Sequence, residues 1–320
     1  MNRSPCRPGP VQAPGPPPAA ARAPWALAAL MLPALLLLAA VYLWPLLQVS
    51  WLSAQASSVL TGLEAVPNGG ANWRRLLGDA RFWSDAAFTL RFAAVSMALE
   101  LVLGLAIALL LHRPGRGRGL LRAAVLLPWA LPGTVLALGW RWIFNDPYGP
   151  LNALIQGLGL PPYGFLTTPA TTWLFVVLAD VWKTTPFVAL LLLAGLQSIP
   201  RELEESLLLE GASGVQILRR LTLPLLRPWI ALALLFRLAQ ALGLFDLVQV
   251  LSRGGPAGST ESLALYAYLQ AMRFLDFGYS ATLVLATFLL LSAITLAGWL
   301  LWLLGDGRVR QAGAAQQAGR

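Results

Sequence analysis

Three long stretches of this chain carry no charge at all. Residues 23–63, 147–179 and 277–305 contain no Asp, Glu, Lys or Arg. About 20 consecutive apolar residues, wound as a helix, cross the hydrocarbon of a bilayer. A soluble fold rarely tolerates such runs, because a globular domain carries about 25% charged residues. Here charged residues are 12% of the 320, hydrophobic ones 57%, and the mean hydropathy is +0.66. The reading is an all-α integral membrane protein with six transmembrane helices. The spans are placed near 25–47, 87–111, 120–143, 172–196, 229–251 and 279–304. Residues 1–23 are rich in Pro, Ala and Gly and are expected to be a disordered tail. Residues 24–305 form the membrane domain, and 306–320 a second tail.

The first apolar run is too long for a signal peptide and has no small-residue cleavage site after it, so it is read as a retained span. Six spans put both termini on one side. With the N-terminus placed in the cytoplasm, fourteen of the 23 Lys and Arg fall in inside segments and five in outside loops. That bias fits the positive-inside rule. It accounts for most of the net charge of +9 without nucleic acid as a partner, and the basic run around Arg113 is read as touching anionic membrane lipid. Cys6 is the sole cysteine and His112 the sole histidine, which excludes an internal disulfide and argues against a His/Cys metal site. The outside loops hold turn signals such as "VPNGG", "NDPYGP", "GLPPYG" and "RGGPAGS". Short surface helices that meet an external partner and plain connections are both open there.

A patterned polar segment interrupts the apolar chain at 202–228, "ELEESLLLEGASGVQILRRLTLPLLRP". It falls on the cytoplasmic side, within a loop of about 197–228. Glu202, Glu204 and Glu205 crowd the first turns of a short helix, where the helix dipole favours negative charge. Gly211 breaks that helix. Ser213 starts a second one, with Gln216 three residues on as a capping box. Pro224 and Pro228 are expected to close the second helix and mark the start of span five. Leu207, Leu208 and Leu209 give the first helix an apolar side. The pattern suits a docking element for a cytoplasmic partner.

That segment resembles the cytoplasmic signature of permeases from binding-protein-dependent ABC importers, E-A-A-x(3)-G-x(9)-I-x-L-P. Glu205 and Gly211 have the required separation, and Leu221, Leu223 and Pro224 fall at the I, L and P positions. Ser206 and Leu207 replace the two alanines. The resemblance runs over roughly 25–305 and is closest to carbohydrate-uptake permeases of the maltose, trehalose and glycerol-3-phosphate type. It is carried by "NWRRLLGDARFW", "GRGLLRAAVLLPWALPG", "RWIFNDPYGPLNAL", "DVWKTTPF", "LLLAGLQSIPRELEE", "VLSRGGPAGSTESLALYAY" and "MRFLDFGYSAT". It implies an import permease in a bacterial or archaeal inner membrane, working as a heterodimer with a second homologous permease. It also implies two cytoplasmic ABC ATPase subunits and an extracytoplasmic solute-binding protein. Glu204, Glu205, Gly211 and Pro224 would then couple the ATPases to the spans. Lys183, the one lysine, lies in "DVWKTTP" with no glycine-rich loop before it. The chain therefore needs no cofactor of its own, ATP-Mg belongs to the ATPase subunits, and the chain is a transport subunit rather than an enzyme.

Five charges stand out inside the spans: Glu100, Asp180, Lys183, Arg237 and Asp246. Such groups face a cavity or a partner. Asp180 and Lys183 are three apart on one helix, so they either pair and neutralise each other or line a polar path. The resemblance assigns a substrate pathway to Asp180, Lys183, Thr184 and Phe187 on span four, and to Arg237, Gln240, Ala241 and Leu244 on span five. Carboxylate, amine and amide groups suit hydroxyl-rich ligands, and an aromatic face suits a sugar ring. Lys183 and Arg237 leave an anionic solute open. Glu100 is read as structural, a partner for Arg91 or a neighbouring helix. The alternative function is an ion-coupled secondary transporter using Glu100, Asp180 and Asp246 as relays.

Overall fold

A computed structural model describes residues 24–318 apart from 114 and 116, and the side chains from 30 to 300 apart from that of Arg118. The tail expected over 1–23 lies outside the described residues. The chain divides into two units, one ending at Gln48 and one beginning at Val49. The first holds α1 (Pro24–Leu38), a π-helical turn (Ala39–Leu43) and the start of α2 (Trp44–Ser53). Leu30, Leu37, Tyr42 and Leu47 are all strongly exposed, as lipid-facing side chains are.

The second unit begins with two two-residue strands, β1 (Gln55–Ala56) and β2 (Val66–Pro67), paired antiparallel with Gln55 opposite Pro67. Helices α3 (Ala71–Gly78), α4 (Ala80–His112), α5 (Arg118–Ala130), α6 (Gly133–Ile143), α7 (Pro150–Gly157) and α8 (Pro169–Gln197) follow. Then come α9 (Arg201–Leu209), α10 (Gly214–Ile217), a π-helical segment (Leu218–Thr222), α11 (Leu223–Leu242), α12 (Asp246–Leu251), α13 (Leu263–Met272) and α14 (Phe277–Ala318). The backbone of 306–318 thus continues α14. Among the described residues, five helices are long and apolar enough to cross a membrane, and six if α5 and α6 count as one bent span. Helices α3, α7 and α13 occupy the three turn-rich loops.

The third span is not the continuous helix expected over 120–143. Its halves α5 and α6 meet at 88°. The cause is local. Leu131 precedes Pro132, and the proline ring drives the residue before it out of the helical region. Leu131 accordingly sits at φ −75°, ψ 137°. Backbone freed by such a break is tolerated at membrane depth where it lines a cavity.

Pro224 and Pro228 do not close the second coupling helix, contrary to the sequence expectation. Helix runs on from Gly214 to Leu242. The π-helical segment absorbs the first proline: Leu223 N–H bonds to Leu218 O, five residues back. That wider turn precedes Pro224, whose ring would otherwise crowd the carbonyl four residues earlier. The first real break comes at Gly243, before α12.

Two buried apolar layers hold α4, α8 and α11 together. One contains Phe88, Phe92, Val177, Leu247 and Val248, the other Ala108, Leu111, Val188, Leu192, Leu226 and Ala233. At the start of α4 a polar knot replaces them. Asp79 caps α4 by accepting from Arg81 N (2.9 Å) and Phe82 N (3.4 Å), and it accepts from Tyr266 Oη (2.6 Å) and Tyr279 Oη (2.5 Å). Burial by itself raises the Asp79 carboxyl, but these donors outweigh burial and hold it below its ordinary value. Burial and the same carboxylate push the Tyr266 phenol up to about 12. Arg75–Asp276 (2.7 Å) and Arg81–Glu261 (2.8 Å) flank the knot and tie α3 and α4 to the segments around α13 and α14.

Candidate functional site

The break in the third span opens onto a cavity of about 450 Å³. Ligand sites fall in a range of roughly 300–1,000 Å³. Trp129, Leu131, Gly133 and Leu136 line it from the two arms of the bent span. Asp180, Lys183 and Thr184 reach it from α8, Arg237 and Gln240 from α11, Leu244 from the turn after it and Asp246 from the start of α12.

Six of the eight pathway residues named from sequence therefore border one cavity. Phe187 and Ala241 do not. Ala241 is 1% exposed and packs in the core beside Phe92 and Val248. Phe187 stands one layer back, its ring stacked on Trp129 at 5.7 Å and 20°. The aromatic face that meets the cavity is thus Trp129, supported by Phe187. Sequence reasoning missed Trp129 and Gly133, because their position follows from the bend at Leu131. The signal was "PWALPG", two prolines inside an apolar run.

The charges inside the spans sort differently from the sequence expectation. Asp180 does not pair with Lys183. It accepts from Arg237 Nη2 at 2.8 Å. Glu100 does not pair with Arg91, whose Nε donates to Ala87 O instead. Glu100 takes a bidentate contact from Arg237, Nη2 to Oε1 at 2.8 Å and Nε to Oε2. Thr184 Oγ1 donates to Glu100 Oε1 at 2.7 Å, and Arg237 Nη1 donates to Gln240 Oε1 at 2.8 Å. The three charged residues are 0% (Glu100), 7% (Asp180) and 2% (Arg237) exposed. So three helices share one closed ionic knot, with the guanidinium at its centre. A fork-shaped guanidinium suits that role, since it bonds two carboxylates in fixed geometry. Of the two partners expected for Glu100, Arg91 or a neighbouring helix, the structure has the second, through Arg237 of α11.

The cytoplasmic-type segment folds as the sequence indicates up to α10. Gly211 ends α9 with φ +80°, a left-handed conformation that favours glycine. Ser213 then caps α10: Gln216 N donates to Ser213 Oγ at 3.4 Å, and Ser213 N donates to Gln216 Oε1 at 2.7 Å. Glu204 and Glu205 are exposed, as are Leu208 (54%) and Leu209 (90%). Pro224 lies beyond the π-helical segment, in the first turn of α11. A short helix with acidic and apolar groups both open to a partner is thus joined through the Gly211 turn to α10, which runs unbroken into the helix that lines the cavity.

Residues 100–307 match the family described as binding-protein-dependent transport system inner membrane component. The chain belongs to that family. This permease is 39% identical over 268 residues to the trehalose/maltose transport system permease protein MalF of Thermococcus litoralis, covering 83% of this chain and 90% of that protein. It is 35% identical over 266 residues to the sulfoquinovosyl glycerol transport system permease protein SmoG of Agrobacterium fabrum, covering 83% and 86%. A chain of the solved bacterial alginate ABC transporter, in complex with a periplasmic protein carrying alginate pentasaccharide, superposes with a TM-score of 0.72. It is 22% identical and covers 85% of this permease and 92% of itself, so it shares the fold. The permease is a membrane-spanning transport component and not an enzyme. No cluster of metal-ligating side chains occurs among the described residues.

Proposed function

We propose that this permease moves a sugar or sugar-like solute into the cytoplasm through the cavity at the third-span break. It works beside a second homologous permease. Two cytoplasmic ABC ATPases bind ATP-Mg, one of them docked on α9, and an extracytoplasmic solute-binding protein delivers the solute. The observation that carries this reading is the cavity itself: carboxylate, ammonium, amide and indole groups converge at membrane depth where span three is broken. Hydroxyl-rich solutes need such donors and acceptors, and a sugar ring stacks on an indole face. The relatives named for trehalose/maltose and for sulfoquinovosyl glycerol support the solute class.

Energy enters through the segment from Arg201 to Thr222. A tilt of docked α9 is transmitted past the Gly211 turn into α10 and, through continuous helix, to Arg237 and Gln240. The positive-inside bias places this segment and both termini in the cytoplasm. The test is uptake by the reconstituted complex. ATP inside the vesicle-equivalent of the cytoplasm, together with the binding protein, should drive accumulation of a glucose disaccharide. Accumulation driven by an ion gradient without ATP overturns the reading.

A further inference from the structure

We infer that Lys183 and Asp246 form a hydroxyl clamp in the cavity, with Gly133 as the gap between them, and that the clamp takes a neutral vicinal diol of the solute. The inference rests on the sugar-import reading and names the contact that would select within it.

The argument starts from Arg237. Four of its N–H groups are committed to Glu100, Asp180 and Gln240. A guanidinium has five donors, so it has little left to offer an anionic solute. The Asp180 carboxylate is likewise bound to that guanidinium. Two charged groups on the cavity wall remain, Lys183 and Asp246. Neither forms an ion pair or side-chain hydrogen bond among the described residues. They nevertheless converge on one point. A Cβ built on Gly133 would lie 2.9 Å from Lys183 Nζ and 3.0 Å from Asp246 Oδ2. Opposite charges therefore converge beside one glycine, at the first turn of α6, without forming an ion pair. Asp246 is exposed and Lys183 half-buried, so both are reachable.

An ammonium donates and a carboxylate accepts, whereas a hydroxyl does both. Adjacent hydroxyls of a sugar can accept from Lys183 and donate to Asp246 at once. Charged partners make such bonds stronger than neutral ones. A solute anion would gain from Lys183 but face Asp246 across the same gap, with Asp180 and Glu100 behind. The arrangement thus favours a neutral polyol over an anion, and it makes Gly133 a size filter for what enters the slot.

The test uses the full transporter in proteoliposomes, with its binding protein and a radiolabelled neutral glucose disaccharide. Singly deoxygenated analogues and the matching uronic acid complete the panel. Ratios between variant and wild type cancel selection by the binding protein, which is unaltered. Removing one hydroxyl should slow wild-type uptake about tenfold, the loss of one charge-assisted hydrogen bond. That penalty should shrink in Asp246→Asn, and the penalty at the neighbouring hydroxyl should shrink in Lys183→Gln, because the amides bond without a charge. Asp246→Asn should also raise uptake of the uronic acid relative to the parent sugar. Gly133→Ala keeps both charges but sets a methyl 2.9 Å from Lys183 Nζ and 3.0 Å from Asp246 Oδ2, so both groups must shift and uptake should fall. Deoxygenation penalties that survive unchanged in both charge variants overturn the clamp, as does wild-type uptake by Gly133→Ala. A wild-type complex that prefers the uronic acid overturns the neutral-solute assignment. A wild-type complex that imports no disaccharide overturns the sugar reading and the clamp with it.

Discussion

Replacing Arg237 with methionine probes the ionic knot most directly. Methionine keeps much of the side-chain length and removes the charge. It strands Glu100 at 0% exposure and Asp180 at 7% without their shared partner. Removing one partner of a buried ion pair costs about 3–5 kcal/mol, because the survivor stays buried and uncompensated. Here two carboxylates are stranded, so the upper part of that range applies. At about 1.4 kcal/mol per tenfold, about 4–5 kcal/mol lowers the folded population relative to unfolded by roughly 10³-fold or a little more. Arg237→Met should therefore lose most of the detergent-extracted complex, seen as a collapsed monodisperse peak and a lower thermal midpoint. The companion is Arg237→Met with Glu100→Gln and Asp180→Asn. It removes all three charges and leaves amides that can bond to Thr184 and Gln240. A buried ionic group replaced as a whole is often tolerated, so the triple variant should recover much of the yield. If Arg237→Met alone extracts and melts like wild type, the knot is not holding three helices together. If single and triple variants are equally poor, packing of the guanidinium matters and the stranded charges do not.

Gly211→Pro and Glu205→Lys should leave the permease in the membrane while abolishing ATPase stimulation by the binding protein; wild-type stimulation in both would reduce the 201–217 segment to an ordinary loop. Proline cannot adopt the φ of +80° at Gly211, and a lysine at 205 inverts an exposed charge at the docking helix. Asp79 makes an acid-sensitive contribution. Its folded carboxyl lies below the ordinary 3.8, so the stabilisation is fully present above that value and fades as pH falls through the lower folded value. Asp79→Asn should flatten the thermal midpoint against pH below about 4, and a variant with the same acid slope as wild type would remove Asp79 as its source. For topology, a cysteine at the 97% exposed Leu60 should react with an impermeant thiol reagent from outside intact cells, and one at the exposed Ser213 only after permeabilisation. Labelling of position 213 in intact cells would invert the orientation.

Much was set by one-dimensional facts. Two of the three uncharged runs, 23–63 and 277–305, hold a spanning helix, because unpaired backbone groups cannot be left in hydrocarbon, whereas 147–179 folds as α7, a loop and the start of α8. The turn at Gly211 and the Ser213 capping box are contacts within a few residues, so they too were legible. The pathway residues on α8, on α11 and just after it were named from the resemblance, and six of the eight border one cavity. The partners of the charges were not legible. Asp180 and Lys183 are three apart and free to pair, yet Asp180 bonds Arg237, 57 residues on, and Glu100 bonds the same group 137 residues away. Which helix faces which is decided by packing of the α4, α8 and α11 layers, and sequence spacing says nothing about that. The same holds for Gly133. Its importance comes from two charges carried by other helices to a bend made by Pro132, so only the assembled bundle shows that Lys183 and Asp246 converge beside it.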